Sequence, residues 1–188
     1  MGAAASREAF FDVGLDVLSD LGYGGLKLAE VCHRVGVTTG SFYHYFQNWS
    51  SYSQQLVTYW QEGMTVRTIE AARAEPDPRR RIDGLIRAGL TLPHGAESAI
   101  RVWSSIDPAV REVQAAVDRQ RFDILFDSAL SILNDDRQAE LFAAWAVYLL
   151  VGYEQALLPP DTAGLRWIVG QLLAALDSGQ FRTVSDDD

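Results

Sequence analysis

Residues Gly36 to Ser50 read GVTTGSFYHYFQNWS. Gly36-Val37 is a helix stop, Thr38 is a good N-cap, and Thr39 to about Tyr45 forms a short helix of hydroxyls and aromatic rings. Just upstream, Leu26 to Val35 forms another short helix. Two short helices joined by a tight turn containing Gly suggest a helix-turn-helix, in which the second helix lies in the major groove of DNA. The quoted stretch holds no Lys or Arg, and the chain of 188 residues carries a formal charge of −9. Affinity for phosphate comes from cationic side chains, so the acidic balance argues against indiscriminate binding to nucleic acid. It does not exclude a local site, because exposed charges farther apart than about 8–10 Å are largely screened.

Outward from this turn the helical period continues in both directions, and no run shows the clean alternation of a strand. The fold class is all-α. A first helix spans Ser6 to Leu21, with Ser6 as N-cap and Gly22 as its stop; Phe10, Val13, Val17 and Leu21 share one face. Glu8, Asp12, Asp16 and Asp20 form a solvated acidic stripe on another. A long fourth helix, capped by Ser50 or Ser51, reaches about Arg73, where Glu75-Pro-Asp-Pro78 breaks the chain. Further helices are predicted over Arg80–Thr91, Ala96–Ser104, Pro108–Leu133, Arg137–Leu158 and Thr162–Ser178, before a polar end, VSDDD, that should fray. Residues 1–50 are predicted as a three-helix reading domain and 51–188 as a larger helical domain.

Composition sets further bounds. Hydrophobic residues at 48% and charged residues at 22% are the balance of a soluble globular chain. The start, MGAAASREAFFDVG, lacks the basic-then-apolar pattern of a secretory signal, and no window has the roughly 18 uninterrupted apolar residues of a membrane span. A cytoplasmic protein is expected. Cys32 is the only cysteine, which excludes an intrachain disulfide and reads as a small core filler. His33, His44 and His94 are scattered and no carboxylate cluster has metal-ligand spacing, so no metal, cofactor or enzymatic role is expected.

The stretch LGYGGLKLAEVCHRVGVTTGSFYHYFQN resembles the DNA-binding domain of the TetR family of transcriptional regulators. The features that carry the resemblance are Gly22-Tyr23 after the first helix, Gly36-Val37 after the second, and Tyr43 and Phe46 in the Tyr-x-x-Phe that ends the third; they lie within residues 7–60. The resemblance implies a homodimer whose heads read the halves of a pseudo-palindromic DNA operator. It also implies a larger domain that holds a small-molecule effector, usually one that relieves repression. On the reading helix, Thr38, Thr39 and Ser41 offer hydroxyls, Gly40 allows close approach, and the first amides face phosphate. Tyr43 and His44 extend from the same element, whereas Phe42 and Phe46 pack inward.

The chain departs from the family pattern at three places. Lys27 stands where a Ser or Thr would cap the second helix, and its ammonium is assigned to the DNA backbone. Trp49 stands where a Lys would contact phosphate; its indole N–H can reach one phosphate oxygen, or its ring can pack the third helix on the fourth. Residues 1–52 hold Arg7, Lys27 and Arg34 against Glu8, Asp12, Asp16, Asp20 and Glu30, a net of −2. Lys27 and Arg34 are therefore expected to supply the positive charge. A dimer that has lost DNA binding and kept its ligand or protein partner is the competing reading.

In the larger domain the last two helices should pair antiparallel across their Pro-Pro turn. By the resemblance they meet a second copy through Ala144, Val147, Tyr148, Val151, Gly152 and Gln155, with Trp167, Ile168, Gly170, Gln171 and Leu172. Trp60, Met64, Trp103, Phe122, Phe126 and Tyr148 are the candidate lining of an effector pocket, and His94 near Glu97 is a candidate polar anchor.

Overall fold

The computed structural model describes residues 6–183, and among these residues it is helical without a strand. The helices are α1 (Arg7–Gly25), α2 (Leu28–Val35), α3 (Thr39–Phe42), α4 (Trp49–Gln61), α5 (Arg67–Arg73), α6 (Pro78–Gly89), α7 (His94–Ser104), α8 (Pro108–Leu133), α9 (Asp136–Gln155) and α10 (Thr162–Ser178). A π-helical turn, Glu62–Val66, joins α4 to α5, and a 3-10 turn, Gln180–Thr183, follows α10. No described helix is long and apolar enough to cross a membrane. The end VSDDD lies outside the described residues.

Local chemistry sets most of the helix ends. Ser6 Oγ accepts from Ala9 N at 3.1 Å and so satisfies an amide left over at the start of α1. Gly22, at φ 67°, interrupts the helical conformation before the last turn of that helix, as its lack of a Cβ permits. Gly36 takes φ 80°, and both it and Val37 donate to the Cys32 carbonyl at 3.0 Å, closing α2. The start of α4 differs from expectation: Asn48 is its cap, with Oδ1 accepting from Ser51 N at 2.8 Å. Asn48 is extended, at φ −162° and ψ 174°, which places Trp49 in the first helical position. The predicted helix through Arg73 is continuous except for the π turn, where Gly63 lowers helix propensity. The third helix is shorter than predicted, because its chain tightens at Tyr43–Tyr45 into a turn in which Tyr45 N donates to Phe42 O at 2.9 Å.

Two compact units emerge. One contains the chain up to Met64 together with Pro93–Ala116; the other contains Thr65–Leu92 and the chain from Val117 onward. The predicted boundary at residue 50 therefore falls inside the first unit, at the second residue of α4.

The first unit is built on aromatic packing. Phe10, Phe42, Tyr52 and Trp60 are fully buried, with Phe11 and Phe46 nearly so. Phe10 meets Phe42 and Phe46 edge-on at 5.7 and 5.5 Å between ring centroids. The Tyr52 hydroxyl donates to the Phe10 carbonyl at 2.8 Å, and it passes where a Cβ on Gly14 would lie 2.2 Å away. Burial pushes the Tyr52 phenol far above its ordinary ionisation, so it remains a donor. Burial also raises the Cys32 thiol, in keeping with a core filler. Helix α7 lies against α1 and comes close to it at Gly95, where a Cβ would stand 2.8 Å from the Ser19 carbonyl oxygen. Tyr23 stacks on Trp103 at 4.8 Å beside this contact.

The second unit has its own core of Ile82, Leu125, Ala129, Phe142, Leu172 and Leu176, closed by Phe181 packed edge-on against Phe142. Arg79 clamps α6 to α10 as a fork, with Nε and Nη2 on the two carboxylate oxygens of Asp177 at 2.7 and 2.8 Å.

The helix contact at Gly95 yields a stability test. Gly95→Ala should cost about 1–3 kcal/mol, because the new methyl meets Ser19 backbone that cannot rotate away. Gly84→Ala, whose Cβ would meet only the Arg87 guanidinium at 4.0 Å, should stabilise by about 0.5–1 kcal/mol through helix propensity. Urea unfolding of both variants checks the opposite signs.

Candidate nucleic-acid interface

The turn from α2 to α3 is presented to solvent by the core beneath it. Phe42 and Phe46 point inward, which leaves Thr38, Thr39, Gly40, Tyr43 and His44 exposed and Ser41 half-buried. Tyr43 is 54% exposed although its ring stands edge-on to Phe42 at 5.4 Å, so it is braced at one end and open at the other. Thr38 caps α3: its Oγ1 accepts from Ser41 N at 3.2 Å and lies 3.0 Å from Ser41 Oγ. One hydroxyl proton of that pair is used between them, and the other remains for an outside acceptor. The amides of Thr39 and Gly40, at the first two positions of the helix, have no intrahelical carbonyl to bond. Four residues make only a small dipole, so these amides act as individual donors.

The cations of this region are placed differently from one another. Lys27 sits at the N-cap of α2, exposed, with no side-chain capping bond. Arg34, expected to offer charge to DNA, is instead held internally: Nε donates to Glu30 at 2.7 Å and Nη1 to Asp20 at 2.7 Å. Two carboxylates within reach of one guanidinium satisfy it, and the pairing ties α2 to α1. Arg7 reaches the Tyr45 carbonyl and the Gln55 side chain, with its guanidinium carbon 4.8 Å from the Phe46 ring centroid. The acidic stripe of α1 is exposed along its length, as its spacing suggests, and two of its members have partners. Asp20 holds Arg34, and Asp12 accepts from the Tyr59 hydroxyl at 2.7 Å.

Trp49 is half-buried, its ring 4.9 Å from Tyr52 and 6.0 Å from Phe42. These ring contacts join the start of α4 to α3.

Residues 10–48 match the family described as bacterial regulatory proteins, tetR family. That match takes in the whole of α2, the turn and α3. Solved structures share the fold along nearly the whole chain. A transcriptional regulator from Rhodococcus sp. Rha1 superposes with a TM-score of 0.72 at 19% identity, over 93% of this chain and 97% of that one. A TetR transcriptional regulator from Legionella pneumophila gives 0.69 at 11% identity, over 98% and 100%. A protein described as a transcriptional regulator from Saccharomonospora viridis, solved with choline, gives 0.71 at 12% identity, over 89% and 95%. At these identities the likeness is one of fold. No curated protein matches the chain in sequence.

The other predicted residues lie beyond the tetR-type head. Among the candidate pocket residues, Trp60 is fully buried in the first unit and donates to Glu97 Oε1 at 2.8 Å. Trp103, in the same unit, borders a cleft among α4, α7 and the start of α8. Met64 is half-buried at the π turn, and His94 begins α7, three residues before the buried Glu97. Phe122 and Phe126 stack on each other, with centroids 6.1 Å apart, against the core of the second unit. Tyr148 is 73% exposed and does not line an interior pocket of its unit. It belongs instead with Trp145, Trp167 and Ile168, all at least 42% exposed on α9 and α10. Gly152, Gln155, Gly170 and Gln171 are exposed on the same two helices; Ala144, Val147 and Val151 are half-buried, and Leu172 is buried. Trp145 lay outside the predicted set although its spacing of three from Tyr148 is the helical signal that would have found it.

The cap defines a local test. Thr38→Ala should cost about 1 kcal/mol by freeing the Ser41 amide, and Thr38→Ser should restore most of it. Thermal unfolding of the full chain reads both.

Proposed function

We propose that the protein is a ligand-responsive transcriptional regulator, a repressor that leaves a pseudo-palindromic double-stranded DNA operator when it binds a small molecule. The observation that carries the reading is a coincidence: the residues that match the tetR family end in the surface where Thr38, Thr39, Gly40, Tyr43 and His44 stand exposed over an aromatic core. Thr39, Gly40 and the spare hydroxyl of the Thr38–Ser41 pair position the head on phosphate, and Tyr43 and His44 reach base edges or a thymine methyl. Lys27 supplies the cationic contact. Arg34 and Trp49 act one step back, holding the head together. The chemistry is recognition and needs no cofactor.

A homodimer forms through α9 and α10. In support, four large apolar side chains of these two helices, Trp145, Tyr148, Trp167 and Ile168, are exposed in the single chain. Residues 1–50 then serve as the reading part and 51–188 as the ligand-binding and dimerisation part, in a cytoplasmic protein. The choline found in the structure from Saccharomonospora viridis supports a small molecule as the effector.

Two measurements test this reading. Binding to DNA from the protein's own promoter region, followed by anisotropy against salt, should give a shallow slope near −2, from one Lys27 per head in a dimer. Lys27→Ala should flatten that slope by about 1 per head, and Tyr43→Ala should cost about 1–3 kcal/mol at the preferred sequence alone. A slope near −10, or no binding at about 50 mM salt, contradicts the assignment. In the second, Trp167→Glu should elute as a monomer on size exclusion and lose DNA affinity, since each head then binds alone.

A further inference from the structure

Arg7 is the first residue of α1, exposed to solvent directly after the Ser6 cap. A cation in the first turn of a helix stands against the dipole, so the chemistry of α1 gives no reason for it. Its contacts lie far along the chain. Nη1 donates to the Tyr45 carbonyl, three residues past α3, and Nη2 donates to the side-chain oxygen of Gln55 on α4. The guanidinium carbon stands 4.8 Å from the centre of the Phe46 ring, within cation–π range. All three partners are neutral, and among the described residues no carboxylate pairs with Arg7.

The oxygen that receives Nη2 is itself held in place. Gln55 Nε2 donates to the Ser51 carbonyl at 3.0 Å and to Ser51 Oγ at 2.8 Å, which leaves Oε1 for Arg7. Ser51 N in turn donates to Asn48 Oδ1, the cap of α4, at 2.8 Å. A chain of hydrogen bonds therefore runs from Asn48 through Ser51, Gln55 and Arg7 to Tyr45, and it closes around the short connection from α3 to α4. Tyr43 and His44 stand immediately before that connection. Their backbone is tied by the Thr38 cap on one side and by the Tyr45 carbonyl on the other. A four-residue helix has too few bonds of its own to fix their direction.

We infer that Arg7 is a positioning residue for the reading turn: its guanidinium joins α1 and α4 to the Tyr45 carbonyl and fixes the direction of Tyr43 and His44, without serving as a phosphate ligand. The role needs a planar fork, because the point charge of a Lys cannot meet a carbonyl, an amide oxygen and a ring together. The consequence for DNA rests on the regulator reading; the hold on the turn does not. Without the fork the turn samples other arrangements, and affinity falls with the fraction that stays competent. The operator-specific part of binding is then lost, while the attraction of Lys27 for phosphate remains.

The experiment compares Arg7→Lys and Arg7→Ala with the unsubstituted full chain in two arms. The first uses no DNA and follows amide hydrogen exchange by NMR. The N–H groups of His44, Tyr45 and Phe46, which donate to Ser41 or Phe42 carbonyls at 3.2, 2.9 and 3.1 Å, should exchange about tenfold faster in Arg7→Lys, as for a lost hydrogen bond to a charged donor. Gly36 N, bonded to the Cys32 carbonyl at 3.0 Å, should be unchanged. The second arm measures anisotropy on DNA from the protein's own promoter region and on a scrambled duplex of the same length. Both variants should lose about tenfold per head on the promoter DNA, Arg7→Lys should keep its affinity for the scrambled duplex, and Arg7→Ala should keep the salt slope. A phosphate ligand behaves in the opposite way: full promoter affinity in Arg7→Lys, or a slope shallower by about 1 per head in Arg7→Ala, overturns the proposal. Unchanged exchange in Arg7→Lys overturns it whatever the DNA shows, whereas no promoter binding by the unsubstituted chain fails the regulator reading alone. If the Arg7 variants unfold, Gln55→Leu removes one acceptor from the other helix and should speed the same three amides; their unchanged exchange there overturns the proposal as well.

Discussion

The Tyr52 hydroxyl on the Phe10 carbonyl is the contact around which the N-terminal helices are organised. It crosses from α4 to α1 at 2.8 Å through a gap that exists because residue 14 is glycine. With the ring fixed there, Phe11 stacks on one side of it at 5.8 Å, while Phe42 and Phe46 meet it edge-on at 5.4 and 5.0 Å. Phe42 and Phe46 flank the exposed Tyr43 and His44, so the direction in which those two side chains face is set by the burial of their neighbours. A four-residue helix has almost no stability of its own. Its geometry is borrowed from this aromatic packing, with Trp49 extending the support to the start of α4.

Electrostatics in the head follows from the same economy of elements. An acidic α1 beside α2 would present a run of uncompensated negative charge if its carboxylates were all free. Instead Asp20 shares Arg34 with Glu30, and Asp12 accepts from Tyr59. These pairs link helices and locally neutralise charge, although exposed ion pairs add little stability. They also engage Arg34, which leaves Lys27 as the exposed cation at the start of α2.

Much of this was legible in the linear order of residues, for identifiable reasons. Helical spacing gave the all-α class, and the Gly36-Val37 stop followed by Thr38 gave the turn, because caps and stops are local chemistry within four or five residues. The α4 cap lies two or three residues before the expected Ser50 or Ser51, because Asn48, Ser50 and Ser51 are all competent acceptors. The choice among them depends on where packing of Trp49 and Tyr52 begins the helix. The π turn at Glu62–Val66 had no local signal beyond Gly63. The site was less legible than the fold: Lys27 could be seen as exposed from its place at a helix start, but the partners of Arg34 lie four and fourteen residues away, and the Asp20 pairing requires that α1 and α2 meet.

The sequence by itself determined the helices, their stops, and the identity of the residues that stand on the turn. Tertiary structure alone decided which polar and aromatic groups remain available. Arg34 and Trp49 are occupied by neighbours, whereas Tyr148 and Trp167 are left open. Three-dimensional contact also brought Arg7, whose neighbours in sequence mark it only as the start of a helix, to Tyr45 and Gln55, 38 and 48 residues later. The physical reason is range: capping and periodicity act within a turn of the chain, while the pairing of a charge or the burial of a ring depends on elements that only folding brings together.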